Sequence, residues 1–258
     1  NKKRPYIILK WAETADGFIA PILTNSKTSF AISNDFSRQL VHKYRTEEQA
    51  ILVGTTTVLN DNPSLDARDW FGQHPTRIII DKLNKIPDGF HVKNKKNSTI
   101  IFTEQENCVH SINIAFECIQ FDTHLISNIL THLFKKNIQS VIIEGGTFTL
   151  QQFINNHLWD EARVFIAETK IFEGVKSPKF NFIPEKTIKI KNNTTFFMIY
   201  YIKIYYNKNF ETYFISAIGV AFLFTTLTIT VMYNSRDVIV FLLGALLFFE
   251  KKSKTTTN

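Results

Sequence analysis

The chain has 258 residues, 44% of them hydrophobic, enough for one sizeable core or one domain plus an appendage. Thirty Lys and Arg face 23 Asp and Glu, a formal charge of +7 that is spread along the chain, so a solvated basic surface or a site for an anionic ligand is expected rather than a nucleic-acid partner. Cys108 and Cys118, the two cysteines, form no C-x-x-C and have no His at metal-ligand spacing, which argues against a disulfide framework and a structural zinc site and fits a reducing cytosol.

The opening NKKRPYIILKWAETADG is charged and then strand-like, with no signal-peptide pattern and no initiating Met, so the N-terminus reads as a cut within a longer protein. YIILKWA (6–12) is expected as a strand, with Asp16-Gly17 as a turn beyond it. DFSRQLVHKYRTEE (35–48) carries Phe36, Leu40, Val41 and Tyr44 at helical spacing, capped by Asn34 or Asp35. AILVG (50–54), RIIID (77–81) and STIIFT (98–103) are short apolar runs of buried-strand type, and the polar, Lys- and Asn-rich stretch 82–98 is expected as an exposed loop. HLISNILTHLFKKN (124–137) is an amphipathic helix whose last turn holds Lys135 and Lys136, where cations suit the helix dipole. SVIIEGG (140–146) is a strand ending in two glycines, followed by a helix (149–161), a strand ARVFIAET (162–169) and a closing hairpin (187–206) through Asn192-Asn193. Strands alternating with helices predict an α/β class with a mostly parallel sheet and an antiparallel element at the end. Ligands then belong at the carboxyl ends of the strands.

Beyond about residue 209 the composition changes. Residues 213–233 carry no charge and 238–249 are apolar, with Lys203 and Lys208 before and Lys251, Lys252 and Lys254 after. About twenty apolar residues can span a bilayer, so a helical hairpin in a membrane is one reading of the tail. A foreign or fused piece without a role is the other.

Four clusters carry the chemistry. Glu144-Gly145-Gly146 before a helix is either a plain strand–helix turn or a phosphate cradle, because helix N-termini attract anions. Lys10, within an apolar strand, either faces solvent on an edge or turns into a cleft. Arg38, His42 and Arg45 recur at i, i+4 and i+7, a solvated face or an anion clamp. Thr55, Thr56 and Thr57 follow an apolar strand and can cap a helix or bind a ligand; Asp61 and Arg68 beyond them form a local ion pair or two halves of a polar site.

In order, ILKWAETADGFIA, SRQLVHKYRTEEQAILVGTTTVLNDNPSLDAR, PTRIIID, VIIEGGTFTLQQFI and DEARVFIA resemble the reductase domain of bifunctional riboflavin-biosynthesis proteins of the RibD type, over about residues 4–206. The run R-[ST]-x-x-x-A-I-L-V-G-x-x-T-x-L-x-D-x-P-x-L-x-x-R, spanning Arg45 to Arg68, is its most specific part. The resemblance implies a dihydrofolate-reductase-like fold for 1–206, with 207–258 as an apolar extension. It implies NADPH as hydride donor and a phosphorylated pyrimidine, 5-amino-6-(5-phosphoribosylamino)uracil, as substrate. The family's substrate positions fall on Ser29, Arg45, Leu65, Arg68 and Glu144. Its NADP positions fall on Ala12, Ala31, Thr57, Asp61, Lys82 and the run Gly146, Thr147, Phe148, Thr149, Leu150, Gln151 and Gln152. Among these, Arg45 and Arg68 suit a ribose phosphate, and Lys82 suits a 2′-phosphate. Lys10 and Asp61 are the candidates for moving a proton.

The resemblance also implies a homodimer, a cytoplasmic catalytic domain and a deaminase upstream or as a partner. No zinc pattern of that deaminase is present in this chain. Ala31 stands where the family usually has Trp, with Phe30 beside it. The alternatives are a related oxidoreductase with another substrate, or an inactive membrane-tethered nucleotide-binding module.

Overall fold

The computed structural model describes residues 2–22, 32, 35–190 and 195–201. Ser29, Phe30, Ala31, Asn34, the Asn192-Asn193 turn and the apolar segments 213–233 and 238–249 lie outside the described residues.

The described strands are β1 (Tyr6–Thr14), β2 (Phe18–Ala20), β3 (Ala50–Gly54), β4 (Thr76–Ile80), β5 (Thr99–Thr103), β6 (Ile114–Cys118), β7 (Ser140–Ile143), β8 (Glu161–Ala167), β9 (Val175–Lys176), β10 (Lys186–Ile190) and β11 (Thr195–Tyr201). The helices are α1 (Asp35–Glu47), α2 (Thr55–Asp61), α3 (Leu125–Lys135) and α4 (Thr147–Asn155). Nine strands form one sheet in the order β10-β11-β8-β1-β7-β3-β4-β5-β6. The pairs from β8 through to β6 are parallel; β11 and β10 close one edge antiparallel. The expected sheet class and closing hairpin are both present.

Parallel strands bury both faces, which is why β3 and β7 read as unbroken apolar runs. Ala50 and Leu52 face a core with Ile7, Leu9, Val141, Ile143 and the inward residues of α3 and α4. Ile51 and Val53 face a second core with Val58, Leu65, Ile79, Ile86, Val92 and Ile101. This second core corrects the expectation of an exposed loop at 82–98. Over the outer strands that face is covered by α2 and by the loop itself, so Ile86 and Val92 are inside. Buried Arg77 of β4 staples the loop, donating to the carbonyls of His91 and Asn97 and to Asn94 Oδ1 at 2.6–3.1 Å. Burial pulls this guanidinium down to about 10, with the charge of Asp66 acting weakly in the opposite sense.

Other differences are local. α4 starts two residues earlier than expected and stops at Asn155, because Trp159 turns into the main core, wholly buried, before β8. The short β2 and β9 and the edge strand β6 have no clear signal in the sequence. Among the described residues no helix is long and apolar enough to cross a membrane.

Candidate active site

The strand order sets the site. The chain passes from β1 to β3, leaves a gap, and fills it later with β7. The carboxyl ends of β7, β3 and β4 thus lie side by side, and the segments leaving these three ends form the wall of a crevice. β3 leads without a loop into α2; β7 leads into Glu144, Gly145 and Gly146 and then α4; β4 leads into Asp81 and Lys82.

Glu144 lies at the centre. Its backbone N–H donates to Leu52 O at 2.9 Å, continuing the sheet. Its carboxylate accepts from Arg45 Nη2 at 2.6 Å and Nε at 3.4 Å, with both side chains nearly enclosed. Arg45 Nη1 also donates to the Asp66 carbonyl at 2.9 Å. Burial alone pushes the Glu144 carboxyl up, but the charges of Arg45 and Lys10 outweigh it and hold the group at about 2. Breaking a pair of this kind by removing one partner costs about 3–5 kcal/mol, because it strands a buried charge.

Lys10 is on β1, between β8 and β7, so the edge-strand reading is set aside. Its ammonium lies 5.6 Å from the Phe165 ring centroid and has no hydrogen-bond partner among the described residues. Burial lowers its pKa, Glu144 acts in the opposite sense, and Arg45 lowers it further.

Lys10 shares a cavity of about 250 Å³ with Arg38, Val41, His42, Arg45, Pro63, Ser64, Leu65 and Arg68. Here α1's stripe of Arg38, His42 and Arg45 meets the segment after α2. The stripe is not a solvated face: His42 is buried, with Nε2 3.3 Å from Asp69 Oδ2, and burial followed by the charge of Arg45 lowers its pKa. Arg68 pairs with Asp66 at 2.7 Å and not with Asp61. Arg68 is half in solvent, so that pair contributes at most about 1 kcal/mol. Leu65 enters the second core at φ +51°, and it borders the cavity. A wider depression of about 440 Å³ between Thr76, Ser98, His110 and Lys136 lies at the opposite, amino ends of β4 to β6, away from this chemistry.

The candidate cofactor wall runs along α2 and α4. Gly146 caps α4 with no side-chain cap of its own, and its N–H donates to Thr57 Oγ1 at 3.1 Å. The N-terminal amides of α4 are therefore free of side-chain capping, a surface that fits a diphosphate. Thr57 ties the wall after β3 to the wall after β7. The glycines divide the work. A Cβ on Gly145 would lie 2.5 Å from Thr149 Cβ, whereas one on Gly146 would meet nothing nearer than Thr57 Oγ1 at 3.5 Å. Gly145 is small for Thr149's sake; Gly146 alone leaves room toward a ligand. Gly145→Ala is expected to destabilise the protein by about 1–3 kcal/mol in urea unfolding, with Gly146→Ala near neutral in stability.

The remaining candidates are distributed unevenly. Leu150 is core and offers a ligand only its backbone. Phe148 is exposed, Gln152 half-buried, Thr147 Oγ1 donates to the Lys176 carbonyl, and Gln151 Oε1 accepts from Lys179 N at 2.8 Å. Ala12 is half-buried beside Val41 and Phe165. Asp61 ends α2 exposed, its carboxyl raised by partial desolvation, and does not line the cavity around Lys10. Lys82 is exposed, 3.3 Å from Glu104 and 5.8 Å from the Phe121 ring. Asp66 and Asp69 belong to the site although the sequence reading does not single them out. Their signal is the spacing Asp66-x-Arg68-Asp69, carboxylates set among the arginines they hold.

The profile of the family described as RibD C-terminal domain matches residues 5–171. The riboflavin biosynthesis protein RibD of Aquifex aeolicus is 34% identical over 179 residues, 68% of this chain and 49% of that protein. The chain thus spans about half the length of this relative. A 2,5-diamino-6-ribosylamino-4(3H)-pyrimidinone 5′-phosphate reductase of Methanothermobacter thermautotrophicus is 33% identical over 177 residues, 64% of this chain and 78% of that protein. In three dimensions the chain is similar to a deaminase/5-amino-6-(5-phosphoribosylamino)uracil reductase from Thermotoga maritima. The TM-score is 0.61 at 28% identity, covering 77% of this chain and 56% of the other.

Proposed function

The chain belongs to the RibD C-terminal domain family, and from that membership we propose that it is the reductase of riboflavin biosynthesis, reducing 5-amino-6-(5-phosphoribosylamino)uracil to the ribitylamino compound with NADPH. Residues 1–206 form the catalytic domain in this reading. A deaminase, in the same polypeptide or a partner, supplies the uracil, and the enzyme works in the cytoplasm as a homodimer.

The observation that carries the reading is the Lys10 ammonium, without a hydrogen-bond partner among the described residues, sharing with Arg45, the partner of Glu144, a cavity whose rim is cationic. The substrate reacts in its open, imine-like form. When bound, the nicotinamide supplies the hydride to C1′. As that bond forms, the C=N electron pair collapses onto nitrogen, and Lys10 gives nitrogen its proton. Glu144 fixes Arg45 and keeps the charge at this pole balanced. Arg45 and Arg68 face the ribose phosphate, Leu65 and Pro63 wall the sugar, and Ser29 contributes from outside the described residues. For the cofactor, the α4 amides from Gly146 onward hold the diphosphate. Thr57 and Asp61 take its nicotinamide ribose, and Lys82, released from Glu104, takes the 2′-phosphate.

A second reading has one specific support. The Methanothermobacter thermautotrophicus relative, most of whose length this chain covers, is named for a 2,5-diamino pyrimidinone phosphate in place of the uracil. The test is NADPH oxidation by the full chain with each substrate. Turnover of the uracil and little of the pyrimidinone is expected; the reverse preference selects the pyrimidinone as the substrate, and turnover of neither overturns the reductase reading.

A further inference from the structure

Arg38 differs from the other two arginines on the cavity, Arg45 and Arg68, and three observations single it out. It stands on α1 one turn before His42 and two before Arg45, so one helix face presents all three to the cavity. It is 58% exposed and therefore able to move. Among the described residues its polar contacts are long and with carboxylates: Nε to Asp69 Oδ2 at 3.3 Å and Nη2 to Asp35 Oδ1 at 3.4 Å.

The contrast with Arg45 is one of exchange. Arg45 is nearly enclosed and fixed to Glu144 at 2.6 Å, so it meets the phosphate only while keeping that partner, because leaving it strands a nearly enclosed carboxylate. Arg38 loses only loose, solvated pairs when a phosphate arrives, and gains a planar, bidentate contact with a doubly charged group. Asp69 is not left bare when Arg38 turns away, because His42 Nε2 stays 3.3 Å from the same oxygen. Arg68 is its counterpart across the cavity, also half in solvent but paired with Asp66 at 2.7 Å.

We propose that Arg38 is a further phosphate-binding residue: it exchanges Asp69 for the substrate's 5′-phosphate and, with Arg68, forms an outer claw around the less exposed Lys10, Arg45 and Glu144. This rests on the reductase reading for the identity of the ligand.

The test is calorimetric binding to the full chain with NADP present. The ligands are 5-amino-6-(5-phosphoribosylamino)uracil and its dephosphorylated counterpart. Arg38→Ala is expected to weaken the phosphorylated ligand about tenfold and the dephosphorylated one by less than about twofold, with Arg38→Lys restoring part of the loss. Equal losses for both ligands, or no loss for either, overturn the assignment. If Arg38→Ala does not fold, Arg38→Gln is read by the same ratio. The outcomes separate this proposal from the one beneath it. A wild type that binds the phosphorylated ligand in preference but never reduces it overturns the reductase reading and leaves Arg38 to be decided by the ratio. A wild type that turns over while the ratio stays flat overturns Arg38 alone, and one that binds neither ligand overturns both.

Discussion

Glu144→Gln is expected to destabilise the protein by about 3 kcal/mol and to lower kcat/KM by about 10²-fold or more, the largest combined effect of any substitution in the site. The side chain keeps its shape but loses the charge that holds Arg45 at 2.6 Å and offsets Lys10. The carboxyl titrates at about 2 in the folded protein against an ordinary 4.5. A depressed acid stabilises the fold above its unfolded value, and the contribution is lost as pH falls. For Glu144 it is complete above about 4.5, disappears between there and about 2, and is of the order of 3 kcal/mol. Urea unfolding of the wild type is therefore expected to weaken through that window, and Glu144→Gln to show a shallower decline. Parallel declines in the two proteins contradict this role for the pair.

Lys10→Met is expected to reduce kcat by about 10²-fold or more while leaving the urea midpoint close to wild type. Lys10 sits on a central strand without a hydrogen-bond partner among the described residues, so the fold loses little with it, and in the proposed mechanism the reaction loses its acid. Its pKa is lowered by burial first and by Arg45 second, with Glu144 opposing. Since the protonated form donates, wild-type activity is expected to fall as pH rises through a value below the 10.5 of an ordinary lysine. Lys10→Met is expected to lose that alkaline limb along with the rate. A variant that keeps wild-type kcat, or the same limb, removes Lys10 from the chemistry.

The sheet is legible in the sequence because its strands carry the simplest signal, short β-branched runs bounded by turn residues. Ala50–Gly54 and Ser140–Ile143 are buried on both faces and can scarcely be read otherwise. β6 and β9 are not legible: Ile114–Cys118 carries Glu117, and Val175–Lys176 is too short for any period. The 82–98 loop misleads because its composition is polar. Ile86, Phe90 and Val92 among many Lys and Asn are enough to close a core when a buried arginine supplies hydrogen bonds to the intervening backbone.

In the site, the family pattern names residue positions but not their partnerships. Sequence spacing brings Arg38, His42 and Arg45 onto one face; only the fold shows that one of these arginines is spent on Glu144 and another is loosely held. Gly145 and Gly146 look equivalent in the chain, yet Thr149 fills the space beside one of them. Asp66 is not singled out by the sequence, yet its carbonyl and carboxylate each hold an arginine.

The central claim is that this cavity delivers a hydride to C1′ of a phosphoribosylamino pyrimidine. The direct measurement is turnover of the full chain with NADPH carrying deuterium at the transferred nicotinamide position, combined with mass and NMR analysis of the product. One deuterium at C1′ of a ribityl chain is the predicted result. Turnover with the label elsewhere, or NADPH binding with no ribityl product from either pyrimidine, contradicts it.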